Sequence, residues 1–165
     1  MSYRGYSQFA LLLFCLSHLG FAEARSYKVE LIAFQQQAPN SELFVAEEVP
    51  VAARYAQVAK GSKSLQYIVN NLKNAKGMRP FYYQSWRIAV SGGRTSFPID
   101  VSVVGKPLKG WIKLQRGELL HVLADLEFNS GEMSYRLKEK RRVLLKEVHY
   151  LDHPKFGAII KVSPL

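Results

Sequence analysis

The hydrophobic and polar positions change period several times along the chain, and each change marks an element. Residues 27–34 alternate Tyr27, Val29, Leu31 and Ala33 with Lys28, Glu30, Ile32 and Phe34. Both sets are largely apolar, which is the pattern of a strand covered on both faces. Residues 35–60 are less regular, and Pro50 is expected to open a short helix carrying Val51, Tyr55 and Val58. From Ser62 the period becomes helical, with Leu65, Ile68, Val69 and Leu72 on one face and Ser62 or Ser64 as N-cap. Lys73 and Lys76 close the last turn, and Gly77 and Pro80 stop the helix.

Strand patterns follow for the rest of the chain. Residues 81–90 are rich in aromatic and branched side chains, and Ser91, Gly92, Gly93 and Arg94 read as a turn. Residues 97–104 and 109–115 read as strands divided by Gly105, Lys106 and Pro107. The second of them pairs with residues 119–128 through a tight turn at Arg116, Gly117 and Glu118, and residues 133–143 and 158–163 complete the run. One strand, one helix and then a meander predict an α+β fold with a mostly antiparallel sheet and one main helix, with a ferredoxin-like layout as the alternative.

The start of the chain changes the picture. Arg4 is the only charge ahead of an apolar run at residues 9–21, which ends in Ala22, Glu23 and Ala24. This reads as a secretory signal peptide cleaved after Ala24, since the run is too short to span a bilayer. Cys15, the only cysteine, lies inside the run, so the mature chain has no disulfide and no thiol nucleophile. The expected organisation is a signal peptide at residues 1–24, a single domain at residues 25–165 and no transmembrane anchor after processing, in a protein exported from the cytoplasm.

With 48% hydrophobic residues and 22% charged, the chain is neither disordered nor collagenous. Its net charge of +10 calls for an anionic partner, and export removes nucleic acid from the candidates. Residues 61–116 hold ten basic residues and one acidic, so a localised positive face follows if the fold keeps that segment together.

Catalytic chemistry has little to stand on. His149 and His153 flank Tyr150, Leu151 and Asp152, but Pro154 takes His153 out of helical geometry and no third ligand stands at a recognisable spacing, so no metal is expected. An Asx-type turn at Asp152, with residues 154–157 reversing the chain, accounts for the block. No Gly-x-Ser-x-Gly or Ser-x-x-Lys motif occurs. Asp125 and Glu127 share a strand face, where a solvated surface accounts for them more simply than a hydrolase site does. No catalytic residue and no cofactor are therefore assigned, and a hydrolase or amidase stands as the alternative.

Binding features are stronger. Arg136, Lys138, Lys140 and Arg142 share one strand face at a spacing of about 6.6 Å, with Ser134 beginning the row and Met133, Tyr135 and Leu137 turned to the core. Lys109, Trp111, Lys113 and Gln115 form a second one-sided set with a ring between two cations. A ring covering a sugar face buries about 100 Å² and contributes roughly 2.5 kcal/mol, whereas each exposed ion pair contributes about 0 to 1 kcal/mol. Rings anchor and cations attract. Tyr82 and Trp86 share a face with Ile88 and Val90 and read as core.

The C-terminal stretch, Arg141-Arg142 followed by Glu147-Val148-His149-Tyr150-Leu151-Asp152-His153-Pro154-Lys155-Phe156-Gly157, resembles the end of the CsiV family of exported peptidoglycan-binding proteins of Gram-negative bacteria. The Tyr-x-Val-Glu-Leu-Ile-x-Phe opening from Tyr27 and a Gly-Trp-Ile-x-Leu hairpin from Gly110 leading to Leu120-His121-Val122 are also similar. The chain departs from the pattern in a short region after the first strand and in Leu119-Leu120, where an aromatic before leucine is expected. The resemblance implies a non-enzymatic periplasmic protein that binds peptidoglycan and supports a bifunctional peptidoglycan synthase, a penicillin-binding protein, through its outer-membrane lipoprotein activator. It carries Arg141, Arg142, His149, Asp152, His153 and Pro154 over as a fold signature with no assigned contact.

Overall fold

The computed structural model describes residues 24–37, 48–90, 95–131 and 133–165. The expected leader, the Pro39 region and the turn at residues 91–94 lie outside them. The elements are β1 (Arg25–Gln36), β2 (Ala59–Lys60), α1 (Gln66–Asn74), β3 (Met78–Val90), β4 (Ile99–Asp100), β5 (Leu108–Arg116), β6 (Leu120–Asn129), β7 (Ser134–Arg142), β8 (Val148–His153) and β9 (Phe156–Pro164).

They form two antiparallel sheets, one of order β2-β3-β1-β9-β8 and one a meander of order β4-β5-β6-β7. As its two-sided pattern predicts, β1 lies at the centre of the first sheet with both faces covered. Tyr27, Val29, Leu31 and Ala33 point into a core shared with Ile112, Leu114, Val122, Ala124 and Leu126 of the meander. Ile32 and Phe34 point the other way, against Leu65, Val69 and Leu72 of the helical segment. The result is three layers, helix on sheet on sheet. This is mostly antiparallel sheet with one short helix among the described residues, and the ferredoxin-like alternative finds no support in it.

Local irregularities have readable causes. The register of β1 on β3 shifts so that Ala33 faces Tyr82 and Phe34 faces Pro80. The extra residue, Phe81, turns inward beside Tyr82 and stacks on Phe128 with ring centroids 4.8 Å apart. Pro80, expected to end a helix, sits inside β3 at this bulge, where a missing N–H is tolerated. Gly110 has φ +113, and a Cβ there would overlap the Asp125 carbonyl oxygen, so only glycine fits.

Helix α1 lacks the serine cap expected of it. Its N-cap is Leu65, with no side-chain hydrogen bond. The cap comes from the sheet instead, through Glu30, which is fully buried. Ser64 donates its N–H to one Glu30 oxygen and its hydroxyl to the other, both at 2.6 Å, Tyr83 OH donates at 2.7 Å, and Lys28 Nζ lies 3.0 Å away. Tyr83 OH in turn accepts the Leu65 N–H at 2.7 Å. Burial alone would raise the Glu30 pKa; these donors overcome that and bring it down to about 2.

Several expectations are overturned. Residues 50–58 form no helix: Val51 is 84% exposed, Ala56 N–H donates to the Pro98 carbonyl, and Ala56 and Val58 pack on the core as the chain runs into β2. Of residues 97–104 only Ile99–Asp100 is strand. Met133, assigned to the core, is 43% exposed. The basic segment 61–116 is not kept together, because β3 enters one sheet and β5 the other. Residues 148–153 form an edge strand, and the chain reverses in the tight turn at Pro154 and Lys155.

Candidate functional site

The strand parities that predicted one-sided cation sets place both sets on the same surface, the outer face of the meander. Pairing of β5 with β6 sets Lys109, Trp111, Lys113 and Gln115 opposite Glu127, Asp125, Leu123 and His121. Pairing of β6 with β7 continues those rows to Arg136, Lys138, Lys140 and Arg142. Four rows therefore cross three strands, with cations on both flanks and β6 between them.

The two ends of this face differ. At the Lys109 end the carboxylates are built in. Asp125 is 1% exposed and takes a bidentate contact from Arg136, Nε to Oδ1 at 2.7 Å and Nη2 to Oδ2 at 2.8 Å. Glu127 accepts the Ser134 hydroxyl at 3.0 Å and the Val49 N–H at 3.4 Å. The expectation of a solvated face for Asp125 and Glu127 is thus corrected. Both are buried because Trp111 stands opposite Asp125 and the chain at residues 48–50 crosses the surface here. Trp111 Nε1 donates to the Pro50 carbonyl at 3.3 Å, leaving the ring half-buried, and Lys113 Nζ lies 4.9 Å from its centre. With their oxygens committed to Arg136, Ser134 and Val49, the two acids serve as braces between strands.

The Arg142 end is open. Lys138, Lys140 and Arg142 are exposed, and Gln115, Lys113 and His121 are half-buried beside them. A depression of about 260 Å³ lies here, lined by Gln115, Gly117, Glu118, Leu119, His121 and Lys140. Lys109 is exposed at the far corner, while Arg136, the fourth cation of its row, is spent on Asp125. Tyr82 is buried and Trp86 partly buried against the core, as their parity predicted. Sequence reasoning missed Glu118 and the brace between Asp125 and Arg136. Same-face parity across the 129–133 turn was the available signal for the brace.

Apart from Arg142, which is exposed on this face, the signature residues lie elsewhere, and Arg141, His149, Asp152 and His153 each make an observable contact. His149 Nε2 accepts the Leu144 N–H at 3.0 Å, closing the loop after β7. Leu151 is fully buried. The Tyr150 ring stacks with Phe34 across Gly157, where a Cβ would strike both rings. Asp152 was expected to hold a turn; besides the His153 N–H it accepts Tyr150 OH at 2.6 Å and Gln36 Nε2 at 3.1 Å, and its pKa is lowered, first by the tyrosine. Burial, with that carboxylate beside it, pushes the Tyr150 hydroxyl up to about 12. His153 packs between Tyr135 and Phe156, and its Nδ1 accepts the Lys155 N–H in the hairpin turn after Pro154. Arg141 pairs with Glu139 on the opposite side of β7 from Arg142. Among the described residues no group of three or more potential ligands is placed to hold a metal, and no helix is long and apolar enough to cross a membrane.

Among the described residues the outer face of the meander carries cations on both flanks and one ring. The CsiV family model, described as "Peptidoglycan-binding protein, CsiV", matches residues 46–165, and the chain belongs to this family. The match takes in the terminal block and the hairpin from Gly110, and leaves β1 outside. No curated protein and no solved structure matches the chain.

Proposed function

We propose that this protein is a non-catalytic, periplasmic accessory of cell-wall synthesis that holds peptidoglycan on the outer face of β5, β6 and β7. In this reading the leader is removed after Ala24 and residues 25–165 act as one domain. The bound protein supports a bifunctional peptidoglycan synthase through the synthase's lipoprotein activator.

The observation that supports the reading best is the register that sets Trp111 and Lys113 across β6 from Lys138 and Lys140, with Lys109 and Arg142 at opposite corners, in a chain of a peptidoglycan-binding family. Stem-peptide carboxylates match the cations, and a glycan face matches the exposed part of the Trp111 ring. Each cation adds little and is screened by salt, so retention rests on several weak contacts made together along a polymer.

Sedimentation with isolated sacculi tests this. The wild-type protein is expected to pellet with the wall, and a variant carrying Trp111→Ala, Lys109→Ala and Lys113→Ala to remain largely in the supernatant. Unchanged pelleting of that variant removes this surface from the proposal.

A further inference from the structure

The depression at the Arg142 end carries a feature that a general anion surface does not need. Glu118, from the turn between β5 and β6, and Lys140, from β7, line the same hollow. They form no ion pair with each other. Among the described residues neither of these side chains, nor that of Gln115 or His121, has a hydrogen-bond or ionic partner. Four polar side chains converge on one hollow and none is satisfied by another described residue. Opposite charges on one small hollow that do not neutralise each other are complementary to a ligand bearing both signs. A simple anion would meet Glu118, and a simple cation would meet Lys140.

We infer that this hollow accepts a zwitterionic amino-acid head, an ammonium and a carboxylate on one carbon, such as the free end of the diamino acid in an uncrosslinked peptidoglycan stem peptide. The inference rests on the peptidoglycan-binding reading above and narrows it to one element of the polymer. The carboxylate is placed toward Lys140, with Arg142 on the same face opposite His121, and the ammonium toward Glu118. The Gln115 amide and the His121 ring supply further hydrogen-bonding groups, and Leu119 meets the methylene chain that carries the head. At about 260 Å³ the hollow suits a head group. Pockets that enclose whole drug-sized ligands begin at roughly 300 Å³, so the glycan would lie outside, along the rows toward Trp111.

The test is titration calorimetry of the leader-free protein with a soluble disaccharide-tripeptide ending in diaminopimelate. The same muropeptide N-acetylated at the free amine, the same amidated at the adjacent carboxylate, and free diaminopimelate serve as comparisons. Each blocked form is expected to bind about tenfold more weakly, the factor that one charge-assisted hydrogen bond supplies. Glu118→Gln should erase the preference for the free amine alone, and Lys140→Gln the preference for the free carboxylate alone. Equal binding of blocked and unblocked muropeptides, with pelleting on sacculi retained, overturns the zwitterion site and leaves the wall-binding reading standing. Equal affinity for free diaminopimelate and muropeptide overturns the assignment to the stem peptide. Loss of both sacculus and muropeptide binding in the wild type overturns the two readings together.

Discussion

Replacing Glu30 by glutamine removes the charge that fastens helix α1 to the sheet while keeping the side chain's shape. The folded carboxyl titrates at about 2 against an ordinary value of 4.5, and the residue is fully buried. That difference corresponds to about 3 kcal/mol of stability at pH 7, at about 1.4 kcal/mol per unit. Because the folded value is the depressed one, this contribution is complete above pH 4.5 and drains away as the pH falls toward 2. At pH 3 roughly half of it remains. Urea unfolding followed by tryptophan fluorescence should therefore show Glu30→Gln less stable than wild type by about 3 kcal/mol at pH 7 and about 1.5 kcal/mol at pH 3. All other carboxyl groups are common to both chains and cancel in the difference. A gap under about 1 kcal/mol at pH 7, or one that does not change between the two pH values, would refute the claim that Glu30 caps the helix as a carboxylate.

Three further outcomes are expected. Arg136→Ala leaves Asp125 buried without its partner and should lower unfolding free energy by about 3–5 kcal/mol; a loss under about 1 kcal/mol would mean that the brace is not structural. Gly110→Ala places a Cβ against the Asp125 carbonyl at a positive φ, and chemical denaturation should show a loss of more than about 2 kcal/mol. Prolonged incubation of purified protein with wall material should release no muropeptides detectable by chromatography, and steady release proportional to protein would make it a hydrolase.

Patterns of local origin could be read from the chain. The two apolar sets of β1 predicted a strand buried on both sides, and the Leu65, Val69 and Leu72 stripe predicted the helix face that packs on it. The parity of Lys109, Trp111 and Lys113, and of Lys138, Lys140 and Arg142, gave the correct shared sides of β5 and β7. Parity says which residues share a face, but not which strand lies beside it or what crosses above it. That is why the division into two sheets was not legible, nor the passage of residues 48–50 over Glu127. The same limit hid the charge distribution, since Arg79 and Arg87 on β3 go to a different sheet from Lys109 and Lys113 on β5. Serine as N-cap failed for a related reason: Ser64 was the right residue with the wrong partner, because Glu30 reaches it from 34 residues away.

Amide hydrogen exchange on protein pelleted with sacculi, compared with the same protein free in solution, tests the wall-binding face most directly. The account predicts new protection along β5, β6 and β7 and at the 117–119 turn, with the exchange of α1 and β8 unchanged. Protection confined to α1 or to the β8 edge, with the meander exchanging as it does in solution, would contradict it.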